Sequence, residues 1–300
     1  MIRQQPSAAD RRLPLGEEIF LDHVGHFVRD PQAASQALAR AGFAPTPVSI
    51  QVNPAADGSR RLTGTGNVTA MLSRGYIEAL FKTADTPLGR ELETALVRHP
   101  GVHLAAFAVA DAAAAHRRLA DAGFRVQPLL DMQRPVDTGG PPGIAAFTLA
   151  RLQPGEMPEG RIQILTHRSE AMIWQPRWLS HRNGAQALTS VVIAVADPQE
   201  AAARFARFTG RGATCSEGGQ MIALERGCLH LLSADAFSRR LPDIAIPSLP
   251  FAGAYGIRVA SLTQLEDLLR RAGLSMRRGE RDLVVPFPAE LGHGAWLFTQ

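Results

Sequence analysis

The hydrophobic pattern of the chain changes four times from the two-residue period of a strand to the spacing of an amphipathic helix. In the first instance, the apolar residues 21–28 predict a strand. Asp30 and Pro31 follow as the N-cap and first position of a helix that ends before Gly42. The later instances begin their helices at Asp111, Asp197 and Ser261. Each helix is preceded by an apolar strand and followed by a glycine, so the pattern predicts internal repeats.

Strand-like runs separated by Gly, Pro, Asp or Asn follow each helix, which makes strand, helix and about three strands the repeating unit. One such unit leaves a sheet edge and an apolar face uncovered, so units are expected to pair. This predicts an α+β fold of four βαβββ modules, paired into two domains with curved mixed or antiparallel sheets. The expected domains are residues 17–169 and 187–300. The linker between them, residues 170–186, carries Trp174 and Trp178, which we expect to pack the two halves together.

The composition of the chain argues against several classes of protein. Of the 300 residues, 45% are hydrophobic and 20% are charged, as in a globular protein with a substantial core. The net charge of +4 is not gathered into a block and only 6% of residues are aromatic, which argues against nucleic-acid binding. Cys215 and Cys228 cannot supply a disulfide framework. The first residues lack the apolar segment of a secretory signal, and no apolar run reaches ~18 residues, so a cytoplasmic protein without a membrane partner is expected.

Three residues within apolar strands are candidates for chemistry. His23 and His103 lie in the first strands of two repeats, and Glu78 is flanked by Ile77 and Ala79 in an apolar run. A lone histidine in a strand is usually a hydrogen-bonded core residue. A carboxylate in such a strand is costly to bury unless a charged partner or a metal ion compensates it. Together the three residues favour one functional site over three separate core positions.

The order of these features resembles the vicinal-oxygen-chelate superfamily. That group includes glyoxalase I, methylmalonyl-CoA epimerase, extradiol ring-cleaving dioxygenases and fosfomycin-resistance enzymes. The resemblance covers nearly the whole chain after residue 20. The stretches WQPRW at 174–178 and HRNG at 181–184 are similar to a glyoxalase-like branch of the superfamily. The resemblance implies paired modules that surround a metal site.

The implied cofactor is one divalent metal ion (Zn, Ni, Fe, Mn or Co), held by the first and fourth strands of two paired units. The matching positions in this chain are His23, Glu78, His103 and Gln163. Two imidazoles, a carboxylate and an amide oxygen suit such an ion, although Gln163 replaces the acid most common at the fourth place. In the second half the corresponding positions are Ser190, His230, Trp296 and one near Gly253. A metal site is therefore expected in the first half only.

By the same resemblance, the chain is expected to be a metal-dependent isomerase, epimerase or lyase that acts on a small oxygen-rich metabolite. The ion would stabilise an enediolate while a carboxylate moves a proton, and Glu78 would be the catalytic residue because it is the one acid in the set. An Fe(II) or Mn(II) extradiol dioxygenase is the first alternative, since two histidines and a carboxylate suit that chemistry by type. A binding or sequestering protein without catalysis is the second.

Two further residues are candidates for contact with substrate. Arg134 lies in a predicted loop, residues 131–142, whose glycines would let it close as a lid over an anionic substrate. His167 shares the strand face of Gln163 and would contact the substrate or carry a proton near the rim of the pocket. The expected partner is therefore a small molecule, and a homodimer is left open.

Overall fold

The structure is a computed structural model that describes residues 7–55, 57 and 59–300. One order of elements, strand, helix and three strands, occurs four times within these residues. The first unit contains β1 (Ile19–Phe27), α1 (Pro31–Arg40), β2 (Ser49–Pro54), β3 (Arg60–Met71) and β4 (Tyr76–Lys82), and is followed by α2 (Pro87–Arg98). The second contains β5 (Gly101–Val109), α3 (Ala112–Asp121), β6 (Leu130–Val136), β7 (Gly143–Arg151) and β8 (Arg161–His167), and is followed by α4 (Glu170–Ile173) and a 3₁₀ turn, Pro176–Trp178.

The second half repeats this order with shorter strands. Its first unit contains β9 (Ala185–Val195), α5 (Pro198–Thr209), β10 (Ala213–Ser216), β11 (Gly219–Ala223) and β12 (Cys228–Ser233), and is followed by α6 (Ala234–Arg240). Its second contains β13 (Phe251–Val259), α7 (Leu262–Arg271), β14 (Arg277–Arg278), β15 (Leu283–Pro286), a 3₁₀ turn, Ala289–Leu291, and β16 (Ala295–Thr299). The predicted α+β class with a curved mixed sheet is confirmed.

Four helices begin where the sequence placed their N-caps. The carboxylates of Asp30, Asp111 and Asp197 each accept hydrogen bonds from two backbone N–H groups of the first helical turn. The hydroxyl of Ser261 accepts one such bond from Gln264 N. These contacts satisfy donors that a helix end leaves free, which is why the local sequence alone sets the start of each helix.

The strands of the first half form a closed sheet. Their order is β1-β4-β3-β2-β6-β7-β8-β5, and the antiparallel pairing of β1 with β5 joins the two ends. Among the described residues, a single pair, Val52 and Gln133, joins β2 to β6, so this seam of the ring has the fewest paired residues. The second half has the order β10-β11-β12-β9-β13-β16-β15-β14, and its end strands pair on one side only. The closed sheet thus encloses an interior, while the sheet of the second half stays open.

Two apolar regions flank the closed sheet. The larger core lies under the helices and extends into the second half, where β13 meets β5 at Ala252 and Val102. A separate cluster fills the interior of the ring with the side chains of Phe27, Leu80, Leu104, Met132, Phe147, Leu149 and Leu165. Polar side chains among this second cluster therefore lie in an apolar, enclosed setting.

The predicted linker packs against the first half. Trp174 is only 2% exposed, its Nε1 donates to Leu72 O at 3.1 Å, and its ring contacts Tyr76 and His167. Trp178 is half-buried. The tryptophan that is buried therefore stabilises the first half and does not pack between the halves as the sequence suggested. Among the residues that the structure describes, no helix has the length and apolar character needed to cross a membrane.

The glycine that ends α1 is expected to tolerate substitution less well than its counterpart after α3. Gly42 (φ +84°) and Gly123 (φ +83°) both occupy the left-handed region. A Cβ at Gly42 would lie 2.9 Å from Asn183 Cβ, whereas one at Gly123 would meet nothing within 4 Å. Gly42→Ala should therefore lower the free energy of unfolding by about 2–4 kcal/mol and Gly123→Ala by about 1–2 kcal/mol. Urea unfolding measures both, and equal losses would contradict the close packing at Gly42.

Candidate functional site

The interior of the closed sheet contains a cavity with a volume of about 30 Å³, and two of its wall residues, Arg151 and Arg161, also line a larger groove outside the ring. Its apolar wall consists of six residues of the interior cluster. Its polar wall consists of His23, Gln51, Tyr76, Glu78, Arg134, Arg151, Arg161 and Gln163. The cavity thus collects polar groups from all but two strands of the ring, and we refer to it as the inner cavity.

A bulge in β1 places two neighbouring residues on the same side of the sheet. The pairing of β1 with β5 skips Asp22, since Leu21 pairs with Phe107 and His23 with Ala106. As a result Asp22 Oδ2 accepts a hydrogen bond from His23 Nδ1 at 2.7 Å, although strict alternation would separate the two side chains. Because a carboxylate only accepts, Nδ1 carries the proton, and a neutral His23 leaves Nε2 as a lone pair.

Asp22 is fully buried and holds a second histidine. His167 Nε2 donates to Asp22 Oδ1 at 2.9 Å. Burial alone would raise the pKa of Asp22, but the charges and hydrogen bonds of His167 and His23 outweigh burial and hold that pKa well below its usual range. Asp22 is therefore a carboxylate that fixes the orientation of two imidazole rings.

Glu78 is held from the other side by two amides. Its Oε1 accepts hydrogen bonds from Asn67 Nδ2 and, at 3.3 Å, from Gln51 Nε2. Its Oε2 faces His23 Nε2 at a distance of 3.7 Å. The imidazole of His23 also stacks on the ring of Tyr76, with centroids 4.3 Å apart. The two reactive side chains are thus fixed by protein contacts on every side except the one that faces the inner cavity.

His103 does not line the inner cavity. Its Nε2 donates to His99 O at 2.7 Å, and its ring packs on His99 and Phe27. Burial lowers its pKa to about 4. It faces instead an outer groove of about 690 Å³ that runs along α2 and the segment 152–162. The structure therefore separates His103 from His23, Glu78 and Gln163, which line the inner cavity together.

The strand registers explain this separation. On the parallel pair β1–β4, Glu78 lies opposite Gly25, and on the parallel pair β5–β8, Gln163 lies opposite Ala106. The residue two before Gly25 is His23, but the residue two before Ala106 is Leu104. The equivalence of His23 with His103 inferred from the repeats is thus off by one residue. His103 corresponds to Asp22, and both are skipped by the β1–β5 pairing.

The two predicted substrate contacts have different positions. Arg134 lines the inner cavity and is buried, but it belongs to strand β6 and not to a mobile loop. Pro135 is compatible with this strand because β6 pairs along its length with β7 and at only one residue with β2. His167 lies behind Asp22, between Phe147 and Trp174, and does not line the inner cavity.

The resemblance implies a metal site with four ligands, and the side chains of the inner cavity fit such a site only in part. The 3.7 Å between His23 Nε2 and Glu78 Oε2 suits two ligands of one ion, because ligands at ~2.1 Å lie within ~4 Å of each other. Gln163 Oε1, however, accepts a hydrogen bond from Arg151 Nε at 3.0 Å. Leu104 occupies the place expected for the second histidine. Among the described residues, no group of three or more His, Cys, Asp or Glu side chains converges, so the four-ligand site does not fit.

Several residues of the site carry no obvious signal in the sequence. Strict alternation would place Asp22 on the strand face opposite to His23, because the bulge cannot be seen without its partner strand. Gln51 and Asn67 are polar residues in strands that otherwise contain mostly apolar or small residues, and this contrast could have identified them as candidate site residues. Arg151 and Arg161 lie at strand ends, where arginine is common, and the antiparallel pairing of β7 with β8 brings them together.

Comparisons with known proteins agree with this architecture. A family model for a glyoxalase-like domain matches residues 21–209. A hypothetical protein from Staphylococcus aureus superimposes with a TM-score of 0.63 at 10% identity, covering 93% of this chain and 98% of that one. No curated protein matches the chain.

Two solved structures with printed activities are similar in fold. The Mn(II)-bound glyoxalase from Novosphingobium aromaticivorans has a TM-score of 0.53 at 12% identity, covering 94% of this chain and 81% of that one. A catechol 2,3-dioxygenase has a TM-score of 0.52 at 12% identity, covering 95% and 88%. At these identities the similarity concerns the fold and not the reaction.

Proposed function

Because the chain belongs to the glyoxalase-like domain family of the vicinal-oxygen-chelate superfamily, we propose that it is an isomerase, epimerase or lyase. Its substrate would be a small oxygen-rich metabolite bound in the inner cavity. The observation that carries the proposal is the approach of His23 Nε2 to Glu78 Oε2 at 3.7 Å, with both side chains fixed from behind. An acid–base pair in an enclosed cavity is suited to moving a proton.

The proposed step begins with a carbon atom that carries a proton next to a carbonyl group. Glu78 Oε2 takes that proton, and the electron pair moves to the carbonyl oxygen, which forms an enolate. His23 Nε2 is close enough to take the proton from Glu78 or to return it to the substrate. Arg134 lies near Glu78, where its positive charge would stabilise the oxyanion. Return of the proton to a different atom or face completes an isomerisation or epimerisation.

A metal-assisted version of the same reaction is the second candidate. It is favoured by the hydrogen bond from His23 Nδ1 to Asp22, the arrangement that orients metal-binding histidines in many proteins. His23 and Glu78 would then hold the ion, and the ion would supply polarisation of the carbonyl group of the substrate. The dioxygenase alternative requires a second histidine beside Glu78, and Leu104 stands at that position. It therefore has less support from this donor set.

Replacement of Glu78 by glutamine is expected to remove proton transfer. In D₂O, a panel of 2-oxo acids, 2-hydroxy acids and hydroxy ketones is incubated with the protein, and loss of the C–H signal is followed by NMR. For any compound that exchanges, Glu78→Gln should slow exchange at least ~10²-fold, and His23→Asn should have a similar effect. Ser190→Ala and His230→Ala, in the second half, are the matched controls and should exchange as the wild type does.

The same protein preparations distinguish the alternatives. Stoichiometric metal in the wild type that is lost in His23→Asn but kept in His103→Ala would support the metal-assisted version. Oxygen uptake on catechols would support the dioxygenase. Binding of a compound without any exchange would favour the sequestering protein. Exchange that is unchanged by Glu78→Gln would refute the proposed chemistry.

A further inference from the structure

Among the residues that the structure describes, three guanidinium groups and one carboxylate line the inner cavity. The guanidiniums belong to Arg134, Arg151 and Arg161, and the carboxylate is that of Glu78. The proposed proton transfer uses Glu78 and one of these arginines. It leaves the excess positive charge of the cavity unexplained.

Arg134 is buried without a protein anion in contact. Within the described part of the chain, its guanidinium makes no hydrogen bond and no ion pair within 4.0 Å, although it is only 6% exposed. Burial lowers its pKa, while Tyr76 and the carboxylate of Glu78 act in the opposite direction. A buried guanidinium in this state is costly unless a ligand supplies the negative charge.

Arg151 and Arg161 lie close together at the other end of the cavity. Arg151 Nε donates to Gln163 Oε1 at 3.0 Å, and burial together with the charge of Arg161 lowers the pKa of Arg151 to about 10. Arg161 Nε donates to Glu91 Oε1 at 2.9 Å and its guanidinium lies 5.2 Å from the centre of the Phe27 ring. The second terminal nitrogen of Arg161 is buried and has no partner among the described residues, in a side chain that is 7% exposed.

These two arginines also form the boundary between the inner cavity and the outer groove, because both line each of them. A ligand that reaches from the groove into the cavity would therefore meet both guanidiniums. An acidic group held there would relieve the repulsion between them and would supply the missing partner of Arg161. The rest of the ligand would extend inward past Leu80 and Leu104 towards Glu78 and Arg134.

From this placement we infer that the substrate is a small dianion with one acidic group between Arg151 and Arg161 and the other at Arg134. The inference deepens the proposed function and rests on it for the identity of the reacting pair. The carbon that loses its proton would lie between the two acidic groups, beside Glu78 and His23. The apolar walls of Leu80, Leu104 and Phe147 suit short methylene or methine segments, so a dicarboxylate is the simplest ligand of this kind.

Isothermal titration calorimetry with malonate, succinate and glutarate as probes, and acetate as the monoanion, tests the inference. At least one dicarboxylate should bind ~10-fold or more tightly than acetate. Arg151→Gln and Arg134→Gln should each weaken that binding ~10-fold or more, since each removes a charge-assisted hydrogen bond. Arg117→Gln, on the exposed side of α3, is the matched control and should bind as the wild type does. Circular dichroism verifies that the variants are folded.

Glu78→Gln separates the inference from the proposed function. It removes the one negative charge that faces the cavity, so it should retain or strengthen dicarboxylate binding while proton exchange is lost. Dicarboxylate binding without exchange in any variant would leave the inference standing and refute the proposed reaction. Equal binding of acetate and all three dicarboxylates, or wild-type affinity in Arg151→Gln, would overturn the inference even if exchange depends on Glu78.

Discussion

Replacement of Asp22 by asparagine should both destabilise the protein and disable the candidate site. The carboxylate accepts hydrogen bonds from His23 and His167 while fully buried. An asparagine side chain has one oxygen and one NH₂ group. The N–H of one imidazole would therefore point at the NH₂ group, which cannot accept a hydrogen bond. We expect the free energy of unfolding to fall by about 2–4 kcal/mol, as for other buried charged hydrogen bonds. Any proton exchange that depends on His23 should slow at least ~10²-fold.

Urea unfolding and the NMR exchange assay measure these two effects. Asp131→Asn is the matched control, because Asp131 is an exposed carboxylate that accepts one side-chain hydrogen bond, from Thr148 at 2.7 Å. It should change the free energy of unfolding by less than about 1 kcal/mol. Since the pKa of Asp22 is lowered from 3.8 in the folded protein, its contribution is present above pH 3.8 and is lost as the pH falls further. A wild-type unfolding midpoint in Asp22→Asn would show that this carboxylate does not hold the two rings.

Acidification from pH 6.5 to about 4 should destabilise the protein through buried histidines. His26 is fully buried between the halves, where Nδ1 donates to Leu291 O at 2.9 Å and Nε2 accepts from the Tyr255 hydroxyl at 2.8 Å. Burial lowers its pKa from 6.5 to about 4, against a smaller opposite effect of the hydrogen bond to Leu291. The unfolded chain therefore binds a proton that the folded one does not. Stability rises with pH across this window, and His26 alone contributes on the order of 3 kcal/mol to the change.

Burial also lowers the pKa values of His103 and His230 to about 4, so the three histidines act in the same direction. Urea unfolding at pH 7, 6, 5 and 4 measures the slope. His26→Gln should reduce the slope even if it lowers stability at every pH, whereas His293→Gln, at an exposed position, should leave it unchanged. A slope in His26→Gln equal to that of the wild type would contradict a neutral buried His26.

The four helices of the repeated units could be predicted from sequence because their causes are local, whereas α2, α4 and α6 were not predicted. Asp30, Asp111 and Asp197 cap helices through bonds to residues two and three positions ahead, and no distant element is needed. The repetition of this cap before an amphipathic stretch also indicated the four units and hence the α+β fold. His23 and Glu78 were recognisable for a related reason, since a polar residue is conspicuous in an apolar strand, whereas Gln163 was identified only through the resemblance.

The contacts of those residues depended on the pairing of distant strands. The bulge at Asp22 exists only because β1 pairs with β5, and it turns a residue expected on the far face into the partner of His23. The corresponding irregularity at His103 moves that ring out of the inner cavity and puts Leu104 in the expected place. A shift of one residue exchanges the two faces of a strand, so repeats aligned by composition alone cannot fix which side chain points inward.

The charge of the cavity was likewise decided by tertiary structure. Its three arginines lie on three different strands: Arg134 on β6, Arg151 at the end of β7 and Arg161 at the start of β8. Most of β7 separates the first two in sequence, and a long connection separates the last two. Sequence alone determined the four helices of the repeated units, the order of elements in each unit and the strands that could carry chemistry. Short-range periodicity and helix caps encode these features. Only the closing of the first eight strands determined which side chains meet, because register and bulges arise from backbone pairing between residues that are far apart along the chain.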